Sequence, residues 1–159
     1  MNKFDKFRAE NPVFTYKSYN INETENSVEI SYSFSIDGLA EFPPSGFFPK
    51  PADISVRDDL TFERLAFSLG MAETISYWKS ACSPEMRVEC GELSDEQIKW
   101  WKKLWFAGLG EFFYVNGISA DKDSFVNVIP TGKFRSVSAA KRPEPTGCLV
   151  PVGGGKDSA

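Results

Sequence analysis

The stretch VEISYSFSI, Val28 to Ile36, alternates without a break: Val28, Ile30, Tyr32, Phe34 and Ile36 fall on one face, and Glu29, Ser31, Ser33 and Ser35 on the other. A side-chain period of two belongs to a strand, so this segment is a β-strand with one buried face and one wet face. Any fold containing it must bring an apolar layer to five inward positions. Upstream, VFTYKSYNI carries Phe14 and Tyr16 two apart, and the polar NETEN between the runs supplies a turn. The pair therefore reads as an antiparallel hairpin.

The covering layer is expected from helices. In DDLTFERLAFSLGMAETISYWKSACSP, Leu65, Leu69, Ala72 and Ile75 recur at three and four, which predicts the apolar side of a helix that Pro84 helps to end. Gly70 inside it costs about 1 kcal/mol relative to Ala. A second helix is announced by the capping box of Ser94 and Gln97, continued by Ile98, Trp101, Trp105 and Leu109, and ended by Gly108 and Gly110. The two helices are expected as a hairpin packed on the sheet. Between sheet and helices, EFPPSGFFPKPA holds four prolines from Pro43 to Pro51 and is expected to be an irregular connector. EFFYVNGIS reads as a short strand and turn, with Asn116-Gly117 in the turn, and SFVNVIP as one further strand.

Composition narrows the function classes. Apolar content of 42% with 14% aromatics suits a packed core, and net charge −4 with no dense Lys/Arg face argues against a nucleic-acid partner. No run of about 18 apolar residues is present, and the charged start MNKFDKFRAE lacks the apolar centre of a secretory signal, so a cytoplasmic protein without a membrane partner is expected. Cys82, Cys90 and Cys148 fit no zinc or disulfide spacing and are expected to be reduced. With no histidine in the chain, acid/base chemistry falls to Asp, Glu, Lys, Tyr or Cys.

The polar, proline-marked TGKFRSVSAAKRPEPTG reads as a linker across a domain boundary. Its Lys133, Arg135, Lys141 and Arg142 are either solvated linker charge or help for a phosphate-bearing ligand. Beyond it, the apolar CLVPV and three glycines form a strand followed by a glycine-rich turn, the arrangement that presents backbone N–H groups to phosphate oxygens. The spacing is neither a Walker A loop nor G-x-G-x-x-G. It resembles the S-G-G-x-D-S signature of PP-loop ATP pyrophosphatases: Gly154, Gly155, Asp157 and Ser158 match, and Gly153 stands where serine is usual. The resemblance implies that Gly153, Gly154, Gly155, Lys156, Asp157 and Ser158 hold ATP, with Asp157 beside magnesium. A flexible glycine-rich tail is the plain alternative.

Three stretches in order, GMAETISYWKSACSP, QIKWWKKLWFAGLGEFFYVNGI and LVPVGGGKDS, resemble the UDP-N-acetyl-α-D-muramoyl-L-alanyl-L-glutamate epimerase family, MurL, and FTYKSYNINETENSVEISYSFSI is compatible with its opening β region. The resemblance implies ATP- and Mg-dependent inversion of the terminal L-Glu of UDP-MurNAc-L-Ala-L-Glu to D-Glu in peptidoglycan precursor synthesis, releasing AMP and pyrophosphate. A free carboxylate makes the neighbouring α-proton hard to remove. Adenylation replaces that negative charge by an acyl group that delocalises the carbanion, and proton return on the opposite face followed by hydrolysis completes the inversion. Two proton-exchanging groups, or one and water, are needed.

Within the family-like stretches Cys82 reads as an acid/base thiol or a small buried hydrophobe. Glu73, Lys79 and Glu111 read as substrate or proton-exchange groups, or as helix-surface charge. Tyr77, Trp78, Trp100, Trp101 and Trp105 either line a ring pocket or fill the core. The expected architecture is α+β: residues 1–145 as an amino-terminal domain, β-rich over 1–56, helical over 57–118 and strand plus linker over 119–145. Residues 146–159 would open a truncated, Rossmann-like PP-loop domain, so the chain reads as an amino-terminal fragment, inactive alone. Two other readings stay open: a different PP-loop enzyme forming amides or adding sulfur, and a non-catalytic binding module with a flexible tail.

Overall fold

The computed structural model describes residues 3–57, 59–133 and 147. The elements run α1 (Lys3–Glu10), β1 (Val13–Glu23), β2 (Ser27–Ile36), β3 (Ala40–Phe42), β4 (Ser45–Pro49), α2 (Leu60–Trp78), β5 (Glu85–Val88), α3 (Asp95–Gly108), α4 (Gly110–Val115) and β6 (Asn127–Pro130). They form an α+β fold with a mixed six-stranded sheet in the order β3-β2-β1-β5-β6, with β4 also paired to β2. Among the described residues no helix is long and apolar enough to cross a membrane.

The hairpin β1–β2 is antiparallel, and all five alternating residues of β2 are buried. In β1 the apolar residues change parity, from Phe14 and Tyr16 to Tyr19 and Ile21. A bulge at Lys17 absorbs the change: Tyr16 lies opposite Phe34 and Ser18 opposite Ser33, after which Tyr19 meets Tyr32 and Ile21 meets Ile30. One extra residue thus keeps both halves of the strand on the core face, where a slip of one would turn a half outward.

Four sequence expectations need correction. The proline-rich connector does contain regular structure: β3 and β4 both pair antiparallel with β2, and Pro43-Pro44 make the break between them. An edge tolerates proline because no outer strand needs the missing N–H, and the Pro44 carbonyl accepts from Tyr32 N–H at 2.8 Å. The buried face of α2 is Phe67, Met71, Thr74 and Trp78, not the Leu65, Leu69 and Ala72 stripe, which is exposed; Ile75 alone of that set packs on the core. Phe67 stacks on Tyr16 with centroids 5.7 Å apart, so the larger rings win the sheet-facing side and the leucines are turned out.

The helical hairpin is interrupted by a strand. β5 pairs parallel with β1 on one side and with β6 on the other, so α3 and α4 form a β-α-β crossover and the sheet is mixed. Finally, EFFYVNGIS is the helix α4 and its cap rather than a strand. Gly117, at φ +62°, donates to the Tyr114 carbonyl and Ile118 N–H donates to the Phe113 carbonyl, the paired bonds of a Schellman closure. Gly108 ends α3 as expected, whereas Gly110 starts the next helix.

The α3 capping box forms as expected, with Gln97 N–H donating to Ser94 Oγ and Ser94 N–H donating to Gln97 Oε1. Trp105 Nε1 donates to the Met71 carbonyl at 3.1 Å, joining α3 to α2. The predicted strand CLVPV, the glycine loop and most of the linker lie outside the described residues.

Candidate functional site

The turn that ends α2 carries the most distinctive local geometry. Ser80, Ala81 and Cys82 N–H groups donate back to the carbonyls of Tyr77 and Trp78, which tightens the chain until Cys82 stands at φ +57°. A β-carbon-bearing residue in this region is uncommon and needs outside support. Arg8 supplies it: its Nη1 donates to the Cys82 carbonyl at 2.6 Å and to the Phe125 carbonyl at 2.8 Å. The guanidinium thereby ties α1 to the α2–β5 turn and to the approach to β6. Burial lowers the Arg8 pKa from its ordinary value, with Cys82 and Asp5 opposing the shift.

Beside this turn lies a cleft of about 240 Å³. Lys3, Phe4 and Phe7 of α1 form one wall, Lys79 to Cys82 the floor, and Phe112 with Asn116 and Ile118 the other wall. Lys79 Nζ stands 6.0 Å from the centre of the Phe112 ring, and Lys3 Nζ 5.7 Å from that of Phe7. Cys82 is buried, and that burial pushes its thiol up to about 11, against the pull of Arg8. At neutral pH it is therefore a thiol, a group able to give a proton. Its Sγ donates weakly to the Lys79 carbonyl at 3.6 Å.

The structure brings together two of the four described candidates. Lys79 and Cys82 share the cleft; Glu73 and Glu111 do not line it. Glu73 lies six residues before Lys79 on α2, about 240° of helical rotation away, on the side where its charge adds to burial in raising the Tyr32 hydroxyl to about 12. Glu111 is exposed in the first turn of α4. The aromatic candidates mostly fill the core: Trp78, Trp101 and Trp105 are buried, Tyr77 packs on Phe34 and Phe42, and Trp100 is exposed. Sequence reasoning missed Lys3, Phe4, Phe7 and Arg8. Their three- and four-residue spacing in KFDKFR was the available signal.

Among the described residues no group of three or more His, Cys, Asp or Glu side chains converges as a metal site. The residues assigned to ATP and magnesium, Gly153 to Ser158, fall outside the described part.

Comparison with known proteins gives one family: the model of the MurL N-terminal domain matches residues 5–159. No curated protein and no solved structure matches the chain.

Proposed function

The chain belongs to the MurL N-terminal domain family, and from that premise we propose that it serves the ATP- and Mg-dependent epimerisation of the terminal L-Glu of UDP-MurNAc-L-Ala-L-Glu. The observation that carries this reading is the extent of the family match, which runs through nearly the whole chain. It agrees with the family-like stretches around Trp78 and Glu111.

ATP with magnesium, when bound, supplies activation of the glutamate carboxylate, and the glycine loop from Gly153 to Ser158, with Asp157 for the metal, is the segment of this chain suited to that task. The described residues contribute at the cleft. There Cys82, held as a thiol by burial, delivers a proton to one face of the α-carbon after water has taken the α-proton from the other face, its thiolate then regaining a proton from solvent, and Lys79, three residues away on the same turn, orients the substrate's negative charge. Arg8 positions both through the Cys82 carbonyl. Glu73 and Glu111 remain candidates for contacts outside the cleft.

Inversion by proton exchange exchanges the α-hydrogen with solvent. Full-length protein turning over in deuterium oxide with ATP, magnesium and the UDP-MurNAc dipeptide is expected to place one deuterium on the glutamate α-carbon. Product without deuterium would exclude the proton-exchange route.

A further inference from the structure

Three rings in the cleft each carry a cation on their face. Arg8 Cζ stands 5.0 Å from the Phe4 centroid, Lys3 Nζ 5.7 Å from Phe7, and Lys79 Nζ 6.0 Å from Phe112. Arg8 is committed to the Cys82 and Phe125 carbonyls. Lys3 and Lys79 differ: neither forms an ion pair among the described residues, whereas Lys6, Lys17 and Lys50 each meet a glutamate. Among the described residues no carboxylate lines the cleft. Its walls are thus rich in apolar rings, and the charged side chains that line it are two lysines.

Each of these ammonium groups keeps a hydration shell that a neutral ligand would disturb without replacing. An anion replaces the lost water contacts, and its hydrogen bonds to ammonium are charge-assisted. The Phe rings beside them favour a ligand whose anionic group is attached to an apolar or planar body. At about 240 Å³ the cleft lies below the roughly 300–1,000 Å³ usual for drug-sized ligands, so it takes a small molecule or one end of a larger one.

We propose that the cleft between α1, the α2–β5 turn and α4 is a binding site for a carboxylate or phosphate borne on an apolar or planar body, gripped by Lys3 and Lys79 between Phe7 and Phe112. The inference deepens the placement of substrate in this cleft given above. It is tested by binding alone, without ATP or turnover, so its failure leaves the epimerase reading standing and the converse also holds.

Amide correlation spectra of the protein are recorded while titrating phenylacetate, phenyl phosphate, inorganic phosphate and phenol in parallel. Saturable shifts at Ser80, Ala81, Cys82 and Asn116 with one or both ring-bearing anions are expected, the two arms separating carboxylate from phosphate preference. Phosphate and phenol should bind at least about tenfold more weakly, and Lys3→Gln with Lys79→Gln should weaken the preferred anion by about tenfold or more. Should the double variant lose dispersion across its spectrum, each single variant and a rise in ionic strength give the same readout. Absence of saturable shifts with both ring-bearing anions, or binding unchanged in the lysine variants and by salt, overturns the proposal.

Discussion

The Tyr16 hydroxyl occupies the space that a side chain on Gly70 would need. A Cβ built on Gly70 would overlap Tyr16 Oη and stand 2.6 Å from Tyr16 Cζ and 2.8 Å from Tyr32 Cε1. Tyr16 is fully buried and stacked on Phe67, so it has nowhere to retreat. The glycine that looks like a defect in the helix is the point at which α2 rests on the sheet.

Gly70→Ala is accordingly expected to destabilise the protein by about 1–3 kcal/mol through overpacking, although alanine gains about 1 kcal/mol in helix propensity. Urea unfolding of the variant measures it. An unchanged or raised midpoint would mean that α2 does not sit on Tyr16 as described.

Ser94→Ala removes the acceptor for Gln97 N–H and opens the capping box at the start of α3. A loss of about 1 kcal/mol is expected. Because Trp101 and Trp105 follow on the buried face of α3, tryptophan fluorescence during denaturation reports the change directly.

Glu23 sets an acid limb to stability. Burial pushes its carboxyl up, but the Val56 N–H, Lys50 and the Ser55 hydroxyl outweigh burial and hold its pKa below 4.5. Lys50 Nζ is 3.2 Å from Glu23 Oε1 and also donates to the carbonyls of Glu25 and Ile54, tying the proline-rich segment to the hairpin turn. A depressed folded pKa gives stability that is present above the unfolded value and lost as pH falls through the folded one. Glu23→Gln should therefore be less stable than wild type near neutrality, and the two melting temperatures should converge as pH falls below 4.5. A gap that stays constant down to about pH 3 would contradict the linkage.

Cys82 offers the opposite sign. Burial raises its pKa to about 11, so iodoacetamide labelling in the native state is expected to be slow at neutral pH and to rise only toward that value, while the unfolded chain labels near 9.0. The stability tied to the protonated thiol is present below the unfolded pKa and is lost as pH rises through the folded one. Peptide mapping separates Cys82 from Cys90, whose thiol burial pushes up to about 12. Rapid native labelling of Cys82 at neutral pH would remove its role as a proton donor.

The sequence carried the parts of the fold that rest on a single local period. The unbroken alternation of Val28 to Ile36 and the Ser94–Gln97 cap both appear where the pattern places them. What escaped depends on competition between neighbours. Two stripes on α2 have helical spacing, and only the stacking of Phe67 on Tyr16 decides which one is buried. β5 has only Met86 and Val88 as inward residues, too few to announce a strand until β1 and β6 flank it. The cleft joins α1 to a turn more than seventy residues away through Arg8, a relation no local pattern contains. Lys79 and Cys82 were legible as candidates because they lie in one family-like stretch; Lys3 and Phe7, their partners across the cleft, were not.

The most direct test of the account is the configuration of the product. Full-length protein supplied with ATP, magnesium and UDP-MurNAc-L-Ala-L-Glu, followed by acid hydrolysis and chiral separation of the glutamate, should yield D-glutamate together with AMP and pyrophosphate. Recovery of L-glutamate alone from a folded, ATP-supplied protein would contradict it.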